Sequence, residues 1–451
     1  MSRGLVWFRN DLRLADNPAW AAATSGHDEV TALFVIDPRL WHDGSVRTRQ
    51  LAAHLAALDD GLAEREGRLR VEHGDPARVV ARLAGELGAP IYLNRDVTPY
   101  AADRDRRLEQ QGAEVRAFEG RWVHPPGRLR TGSGDPYRVF TPFHRAWEAA
   151  EWDEWPEPGA ARIASDPGTG VPGADPAPMA GGEAAAADRL EEALEIADGY
   201  REDRDRPDVD RTTRLSADLK YGILAARRVA AELGDGTAGR RALVRQLAWR
   251  DFYAQVMAAY PHTVSGAMRP EYDAIRWRDD PDGLAAWQEG RTGYPIVDAA
   301  MRQLRGEGWV HNRTRMIAAS FLVKDLLIDW RLGERYFRRL LVDGDVSQNV
   351  GNWQWVAGTG ADAAPYFRIF NPVTQGRKFD PDGAYVRRWV PELAEAPAEW
   401  IHAPWLAGPL DLAAAGVVLG DTYPEPIVGH AAARERTLAA YGEAREASAG
   451  E

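Results

Sequence analysis

The chain has 451 residues, 45% hydrophobic and 27% charged, and it has no cysteine, which excludes disulfide frameworks, cysteine-ligated zinc, iron–sulfur clusters and thiol nucleophiles. Its formal net charge of −12 repels polyanions, so a nucleic-acid site would have to be a local basic patch. The nearly apolar run at residues 316–323 is far shorter than the roughly 20 residues of a membrane-spanning helix. The N-terminus becomes charged too early for a signal peptide, so we expect a cytoplasmic protein with no membrane partner.

Residues 1–150 alternate short β-branched runs with helical patterns. The runs that predict strands are, in chain order, LVWF, VTALFVI, LRVEH, PIYLN and EVRAF. This alternation predicts an α/β domain with a parallel five-stranded, Rossmann-like sheet. Asp75-Pro76 and Gly88 bracket one of the predicted helices. The turn after the first strand reads FRNDLRLADNP, so the GxGxxG fingerprint of NAD-dependent enzymes is absent.

Residues 151–189 are rich in Pro, Gly and Ala and have little periodic apolar content. They predict a long interdomain linker that crosses the surface. From residue 190 to residue 451 the apolar spacing becomes helical, as in ALVRQLAWRDFYAQVMAAY, IVDAAMRQLRGEG and RTRMIAASFLVKDLLIDW. The second predicted domain is therefore all-α.

One predicted helix carries a polar and aromatic face. In LVRQLAWRDFYAQVM that face consists of Gln246, Trp249, Arg250 and Tyr253. Packing of the two aromatic rings against a neighbouring helix, with the arginine paired to an acid, is the commoner outcome for such a face. A face that binds a ligand is the other interpretation.

A second polar face lies in WVHNRTRMIAASFLVKDLL, where Asn312, Arg315 and Met316 lead into an apolar body. Burial of an unpaired arginine is costly, so we expect a carboxylate or a phosphate nearby. The loop LVDGDVSQNVGNWQW supplies Asp343 and Asp345, which fit a solvated turn or a Mg²⁺ site, although no GxxxxGK[ST] phosphate loop occurs. With no GxSxG, HExxH or metal-spaced histidines, the residues alone predict a Trp-rich helical pocket lined by Arg, Asn and Asp.

Seven segments, in a fixed order from the first strand to near the C-terminus, carry a resemblance to a known family: VWFRNDLRLADNPA, RVFTPFHRAW, TTRLS, QLAWRDFY, GRTGYPIVDAAMRQLRGEGWVHNRTRMIAASFLVKDLLIDW, DGDVSQNVGNWQWVAGTGADAAPYFRIFNPVTQGRKFD and YVRRWVPEL. Together they resemble the photolyase/cryptochrome family, specifically its bacterial cyclobutane pyrimidine dimer photolyases. The resemblance implies a carbon–carbon lyase that repairs UV-damaged DNA: excited, fully reduced FADH⁻ gives an electron to the dimer, the cyclobutane splits, and the electron returns. It also implies a monomer with no obligate protein partner and no metal site.

The resemblance implies which residues hold FAD in a U shape in the helical domain. Those matching the stretch that binds the flavin phosphates are Tyr200, Thr212, Thr213, Arg214, Leu215 and Ser216. Those matching the surroundings of the isoalloxazine are Arg250, Asn312, Arg315, Asp343, Asp345 and Asn349. By the same resemblance Arg315 and Asp343 form an ion pair, and Asn349 faces flavin N5, where a neutral amide can follow flavin protonation without adding a charge.

The resemblance also implies a lesion site and a path for electrons. Trp249 and Trp355 resemble the indoles that flank a flipped-out dimer, and Met316 resembles a contact to the same lesion. With these, the catalytic set implied by the resemblance contains Gln246, Asn312 and Asn349. The residues that resemble backbone-gripping arginines are Arg204, Arg313 and Arg368, which with Arg377 and Lys378 predict a positive face. Trp353, Trp330 and Trp277 match an electron-hopping chain from flavin to surface, and core packing is the alternative interpretation for each alone.

One position departs from the family pattern. Many bacterial dimer photolyases have Glu three residues before the pocket tryptophan, whereas this chain has Gln246. An amide donates and accepts hydrogen bonds but holds no carboxylate charge, and Gln here also resembles (6-4) photolyases. Against that alternative, WVHNRTRM offers Asn312 and Met316 where (6-4) enzymes have their pair of histidines.

Two further points rest on the resemblance. A cryptochrome-type blue-light receptor that signals without repair is the alternative from another class, and the plain tail after YPEPIVGH favours the enzyme, since such receptors often carry long extensions. The α/β domain is expected to hold a second, light-harvesting chromophore. The segment LNRDVTPYAADRD resembles deazaflavin binders more than folate binders, so it predicts 8-hydroxy-5-deazaflavin over methenyltetrahydrofolate.

Overall fold

The computed structural model describes residues 1–152, 154–155, 157–173 and 175–449, and the chain divides into two compact units. Unit 1 contains Met1–Asp198, Thr213–Pro261 and Val342–Ser347; unit 2 contains Gly199–Thr212, His262–Leu341 and the chain from Gln348 onward. The predicted boundaries (1–150, 151–189 and 190–451) rest on composition and hydrophobic pattern, not on spatial compactness, and they stay predictions. Positions 153, 156 and 174 of the predicted linker, and 450 and 451 of the predicted helical domain, lie outside the described residues.

Within the described residues, six parallel strands form the sheet of unit 1: β1 (Arg3–Phe8), β2 (Glu29–Ile36), β3 (Leu69–His73), β4 (Ile91–Asn94), β5 (Val115–Phe118) and β6 (Arg162–Ile163). The strand order is β3-β2-β1-β4-β5, and β6 pairs with β2. The register places Arg3 opposite Glu29 and Phe8 opposite Phe34. The predicted parallel five-stranded sheet is confirmed, and β6 is an addition that lies in the predicted linker.

The α-helices in chain order are α1 (Pro18–Gly26), α2 (Val46–Ala63), α3 (Pro76–Leu87), α4 (Pro99–Glu109), α5 (Phe140–Ala149), α6 (Gly182–Ile196), α7 (Tyr200–Asp203), α8 (Ser216–Tyr221), α9 (Ala226–Leu233), α10 (Ala238–Ala259), α11 (Pro281–Glu289), α12 (Pro295–Glu307), α13 (Asn312–Ser320), α14 (Trp330–Leu340), α15 (Val346–Ala357), α16 (Pro372–Phe379), α17 (Ala384–Trp389), α18 (Pro409–Ala414) and α19 (His430–Ala449). Short 3₁₀ turns and one π-helical turn, Phe321–Asp325, lie between them. None of the described helices has both the length and the apolar character that a membrane crossing requires.

Much of the segment predicted as a surface-crossing linker is exposed, and some of its residues contact the rest of unit 1. β6 extends the edge of the sheet where β2 is not covered by β3. At Gly159 an added Cβ would lie 2.4 Å from the carbonyl oxygen of Thr24, so only glycine allows the chain to approach this closely. Helix α6 begins at Gly182, inside the predicted linker. Contacts made by glycine backbone carry no hydrophobic periodicity, which is why the sequence pattern did not show them.

Unit 2 is built from helices, and its described residues add only an isolated bridge between Leu419 and Tyr423, as predicted for an all-α domain. Helix α12 packs against α11, α13, α16 and α17. The helical pattern RTRMIAASFLVKDLLIDW is interrupted: α13 ends at Ser320, the π turn follows, and Leu327 has a positive φ of 54°. Helix α14 then starts at Trp330, with the Asp329 side chain accepting a backbone N–H as its cap.

Candidate functional site

A loop with two carboxylates meets the start of helix α8 in unit 1. The Oγ of Ser216, the first residue of α8, donates to Oδ2 of Asp343 at 2.6 Å. The backbone N–H of Asp345 donates to the carbonyl of Asp343 at 2.7 Å. Arg214, with a φ of +51°, and the buried Leu215 form the turn that precedes α8. The structure therefore brings these predicted cofactor residues together around the first turn of one helix.

Two arginines, the buried Arg121 and the half-buried Arg250, stand beside the carboxylates. Nη1 of Arg121 lies 2.7 Å from Asp96, and its Nη2 lies 3.5 Å from Asp345. Arg250 donates through Nη1 to the carbonyl of Arg121 at 2.7 Å and through Nη2 to the carbonyl of Leu219 at 3.1 Å. Burial, followed by the charge of Arg121, lowers the pKa of Arg250. Two backbone carbonyls thus hold the Arg250 guanidinium in place.

Lys220 adds a third cation on helix α8. Its Nζ lies 3.4 Å from the centroid of the Tyr221 ring. Burial, and next the charge of Arg47, lower the pKa of Lys220 to about 7, while Asp345 opposes the shift. Burial and neighbouring positive charges make the charged form of Lys220 less favourable. An anion bound nearby would stabilise that charged form, so this region favours an anion.

An aromatic stack forms a wall on helix α10 of unit 1. The rings of Trp249 and Phe140 lie parallel, with centroids 3.6 Å apart and an angle of 7° between planes. Gln246, one turn earlier, donates from Nε2 to the carbonyl of Ala242 at 3.1 Å, which leaves the acceptor Oε1 outside this bond. Tyr253, predicted on the same polar face, is buried and packs against Trp249 at 5.5 Å. A stack of this kind holds Trp249 in one orientation.

In unit 2, helix α13 begins with a histidine cap. Nδ1 of His311 accepts the backbone N–H two residues ahead at 3.1 Å, and burial lowers the pKa of His311 to about 4, so the ring stays a neutral acceptor. Arg315 donates from Nε to the carbonyl of Val310 at 2.7 Å. The exposed Asn312 and the half-buried Met316 lie together, with Nδ2 and Sδ 3.7 Å apart. Arg315 belongs to unit 2 and Asp343 to unit 1, and their predicted ion pair stays a prediction.

Asn349 is oriented by a buried glutamate. Its Nδ2 donates to the carbonyl oxygen of Glu334 and to Oε1 of the same residue, each at 2.9 Å. Glu334 is 2% exposed, and its carboxylate lies 3.3 Å from Nε of Arg338. Because both contacts require a donor, the amide nitrogen is assigned and Oδ1 is the acceptor on the other side.

A buried hydroxyl marks the predicted phosphate segment. Oγ1 of Thr212 is buried and has no hydrogen-bond partner among the described residues. Such a group costs about 1–3 kcal/mol unless something pairs with it. Burial raises the pKa of Tyr200, so its phenol stays a neutral donor. Thr213 continues the chain into unit 1.

Two of the three predicted electron-transfer tryptophans of unit 2 are buried, and the third is half-buried. Trp353 and Trp330 are 3% and 1% exposed, and Trp277 is half-buried and meets Tyr441 edge-to-face at 6.2 Å. The Trp353 ring packs onto helix α14 at Gly333, where an added Cβ would lie 2.2 Å from the ring. Gly333 is one turn after Trp330, so the first two indoles belong to the same packing layer.

Two of the predicted DNA-contacting arginines share one carboxylate in unit 2. Nη2 of Arg313 lies 2.8 Å from Asp205, and Nε of Arg204 lies 4.0 Å from it. The Arg313 guanidinium also lies 4.3 Å from the centroid of the Phe379 ring. Asp205 therefore neutralises part of this charge and holds both side chains in place.

The loop after helix α15 folds back on Trp355, which is half-buried. The carbonyl of Trp355 accepts the N–H of Gly358 at 3.2 Å and that of Ala364 at 3.3 Å. Arg368 follows this loop and is exposed. The other exposed cations of the predicted positive face are in the last turn of α16, Arg377 and Lys378.

Two family models match the chain. Residues 4–159 match the model described as DNA photolyase, and residues 243–443 match the FAD binding domain of DNA photolyase. The chain belongs to the DNA photolyase family. A deoxyribodipyrimidine photo-lyase of Streptomyces griseus is 45% identical to it over 98% of this chain and 100% of its own length.

Solved photolyase-family structures share the fold over the whole length. A bacterial class III photolyase from Agrobacterium tumefaciens is 41% identical, with a TM-score of 0.92, over 99% of this chain and 98% of its own. A cryptochrome of Synechocystis is 31% identical, with a TM-score of 0.88, over 97% of this chain and 99% of its own. Both types of protein have this architecture, so the choice between repair and signalling rests on the residues of the site.

Several residues of this photolyase-family site were missed by sequence reasoning. Phe140 lies inside the quoted segment RVFTPFHRAW, but a single aromatic residue gives no sign of the ring it stacks on. Glu334, Arg121 and Lys220 act through neighbours that are distant in sequence, so no local spacing identifies them.

Proposed function

We propose that this protein is a deoxyribodipyrimidine photo-lyase that repairs cyclobutane pyrimidine dimers in DNA by light-driven electron transfer to the flipped-out dimer. The observation that carries the proposal is the wall formed by Trp249 on Phe140, with Gln246 one turn away and half-exposed. It is a rigid apolar platform with an amide beside it, as a flipped pyrimidine pair requires. The full-length similarity to a relative of that name supports the same conclusion.

We propose FAD as the cofactor, consistent with the family model for residues 243–443. When bound and fully reduced, FAD supplies the electron under light. We assign the unpartnered Oγ1 of Thr212 to its phosphates, and Arg250 to the stabilisation of negative charge. We assign to Oδ1 of Asn349 the role of accepting an N–H from the flavin edge, because Glu334 occupies the amide nitrogen.

The lesion pocket would select damaged bases because they cost less free energy to flip out of the duplex than undamaged bases do. Photolyases are among the enzymes for which base flipping is described, and the general cost of about a few kcal/mol is smallest for a damaged pair. Stacking on an aromatic wall returns about 1–3 kcal/mol per base. We assign that stacking to Trp249 and Trp355 and a further apolar contact to Met316. Bond cleavage by a returning electron needs no acid–base pair, and the site's work is electrostatic stabilisation.

A (6-4) photolyase is the second candidate, and Gln246 is the observation that favours it. The exposed Asn312 and the half-buried Met316 argue for dimer repair, since neither side chain can give up a proton as a protonated His can. Incubation of pre-reduced protein in light with two oligonucleotides, one carrying a cyclobutane dimer and one a (6-4) product, separates the candidates. We expect loss of the cyclobutane dimer only. Signalling without repair would leave both intact although FAD is bound and reduced.

We propose a second chromophore in unit 1, 8-hydroxy-5-deazaflavin in preference to methenyltetrahydrofolate, near residues 94–105. Three acidic or phenolic groups lie there at the carboxyl ends of β2 and β4, where parallel sheets bind ligands: Asp37, Asp96 and Tyr100. A cavity of about 1180 Å³ elsewhere in unit 1, lined by Trp20 and Trp155 among others, also has room for a planar ring. Extraction from natively produced protein, with Tyr100→Phe and Trp155→Leu variants, would identify the chromophore and its place.

We further propose that the protein acts as a monomer in the cytoplasm, where bacterial DNA lies, with no obligate protein partner. Matches to both family models in one chain support this, because the fold and the proposed site need no second copy. Sedimentation of the FAD-loaded protein at micromolar concentration would show a single species of monomer mass. A stable dimer would contradict the proposal.

A further inference from the structure

We propose that Arg245 binds a phosphate of the DNA backbone next to the lesion wall. The proposal rests on the proposed function and adds a residue outside the predicted DNA-binding set. Arg245 lies on helix α10 four residues before Trp249, so the two side chains project from the same face. Its guanidinium carbon lies 5.1 Å from the centroid of Phe140, the ring on which Trp249 stacks at 3.6 Å.

The shared ring pre-organises this arginine. Phe140 is the first residue of α5, is 1% exposed and packs against Trp249 and Phe252 of α10, so the guanidinium rests on a fixed surface. A cation held against an aromatic face gives up less rotamer freedom when it binds a ligand. Arg245 itself is exposed. It therefore combines a restrained position with donors that face solvent.

The charge of Arg245 is also uncommitted within the described part of the chain. Other arginines of α10 are occupied: Arg240 pairs with Asp198 at 2.8 Å, and Arg241 donates to the carbonyl of Asp235 at 2.6 Å. Among the described residues, no carboxylate lies within 4.0 Å of the Arg245 guanidinium. On the neighbouring helix α5, the carboxylate of Glu148 lies 3.3 Å from His144.

The partner follows from chemistry and position. A planar guanidinium with its donors directed outward matches two oxygens of one phosphate. A base stacked on Trp249 brings its own strand along the face of α10 that carries Arg245. A protein with a net charge of −12 needs such local cations to hold a polyanion.

The test compares Arg245→Gln with a matched control, Arg82→Gln. Arg82 is an exposed arginine on α3 of the same unit, paired with Glu86 at 2.9 Å. Dissociation constants for a dimer-containing duplex and an undamaged duplex are measured across a salt series. Loss of one phosphate contact should make the slope of log K against log salt shallower by about 0.9. We expect this change in Arg245→Gln with both duplexes, and an unchanged slope in Arg82→Gln.

Binding and chemistry are separated by a second readout. Arg245→Gln should weaken substrate binding while the repair yield per bound dimer stays at the wild-type value. Arg245→Lys should keep the salt slope, because it keeps the charge. This variant replaces Arg245→Gln if Arg245→Gln loses FAD or folds poorly. For Arg245→Lys, weaker DNA binding with an unchanged salt slope supports the proposal, and wild-type affinity for DNA contradicts it.

The outcomes also separate this inference from the proposed function. A wild-type protein that shows no preference for dimer-containing DNA and no repair would overturn the proposed function. A wild-type protein that binds and repairs, with Arg245→Gln giving the same salt slope as wild type, would overturn only the assignment of Arg245.

Discussion

Glu334 fixes the direction in which the amide of Asn349 faces, since its backbone carbonyl oxygen and its Oε1 each accept a hydrogen bond from Nδ2 of Asn349 at 2.9 Å. The pair links helices α14 and α15 in unit 2 and leaves Oδ1 as the outward acceptor. In the proposed function that oxygen is the atom that meets the flavin edge. A residue with no contact to the reaction thereby decides what the site offers to the flavin.

Removal of this support should change the flavin potential. In Glu334→Ala the amide nitrogen of Asn349 loses the carboxylate acceptor and keeps only the backbone carbonyl of residue 334. The orientation of the amide is then held less firmly, and the proposed hydrogen bond from the reduced flavin is weakened. A hydrogen bond is worth about 1 kcal/mol, so the midpoint potential should fall by on the order of 40 mV. Arg338→Ala is the control, because Arg338 contacts Glu334 without touching Asn349. An unchanged potential in Glu334→Ala, measured by spectroelectrochemical titration, would contradict the assignment.

Trp330 should be required for light-driven reduction of oxidised flavin but not for repair. Trp330 is 1% exposed and lies one turn before Gly333, on which Trp353 packs. Trp330→Phe keeps the packing and removes an oxidisable ring, so photoreduction should slow by an order of magnitude or more. Pre-reduced Trp330→Phe should repair as wild type does. Trp400→Phe, another buried tryptophan of unit 2, serves as the control. Normal photoreduction in Trp330→Phe would mean that electrons take another path.

Gln246 should limit the repair yield. Its amide makes one hydrogen bond within the helix, at 3.1 Å to Ala242, and offers a neutral partner to the lesion. Gln246→Glu introduces a group whose hydrogen bonds are roughly twice as strong when ionised. We expect a modest rise in the number of dimers split per absorbed photon, well short of tenfold. Gln111→Glu, in the exposed turn after α4, is the charge control. A variant that repairs no better than wild type would count against this account.

Lys324 should make folding stability depend on pH. It is 1% exposed and donates from Nζ to the carbonyls of Ala357 and Tyr366 at 2.9 and 3.3 Å. Burial lowers the pKa of Lys324 from its ordinary 10.5 to about 7. Between these values the unfolded chain holds a proton that the folded chain has released, so the free energy of unfolding rises with pH there.

The predicted contribution is a slope of up to about 1.4 kcal/mol per pH unit. Lys324→Met should remove that slope between pH 7.5 and 9.5, whatever its effect on the absolute stability. Urea unfolding at several pH values measures it, with the exposed Lys378→Met as control. Parallel pH profiles for wild type and Lys324→Met would show that Lys324 is not the group that titrates.

The elements that could be predicted from sequence are those whose signals are local. Helix α3 begins after Asp75, whose side chain caps it, and ends at Gly88, which has a φ of +60°, as the residues predict. Strand β6 was missed because two residues show no alternation, and its place depends on β2. The π turn after Ser320 was missed because its apolar residues continue a helical pattern.

The site divides in the same way. Long motifs identified the family and named Trp249 and Asn349, yet the groups that orient those residues, Phe140 and Glu334, are recognised only in three dimensions. Hydrophobic spacing reports which face of an element is buried, and not which side chain of another element lies against it. A sequence motif can therefore identify a site residue without identifying the residue that orients it.

The most direct test of the account is light-dependent repair of an oligonucleotide that carries one cyclobutane thymine dimer, by pre-reduced protein, beside a dark control. The account predicts that the dimer is lost in light and stays intact in the dark, with more than one dimer split per protein molecule. It also predicts that Trp249→Ala binds the lesion much more weakly than wild type. An intact dimer after illumination, with FAD bound and reduced, would contradict it.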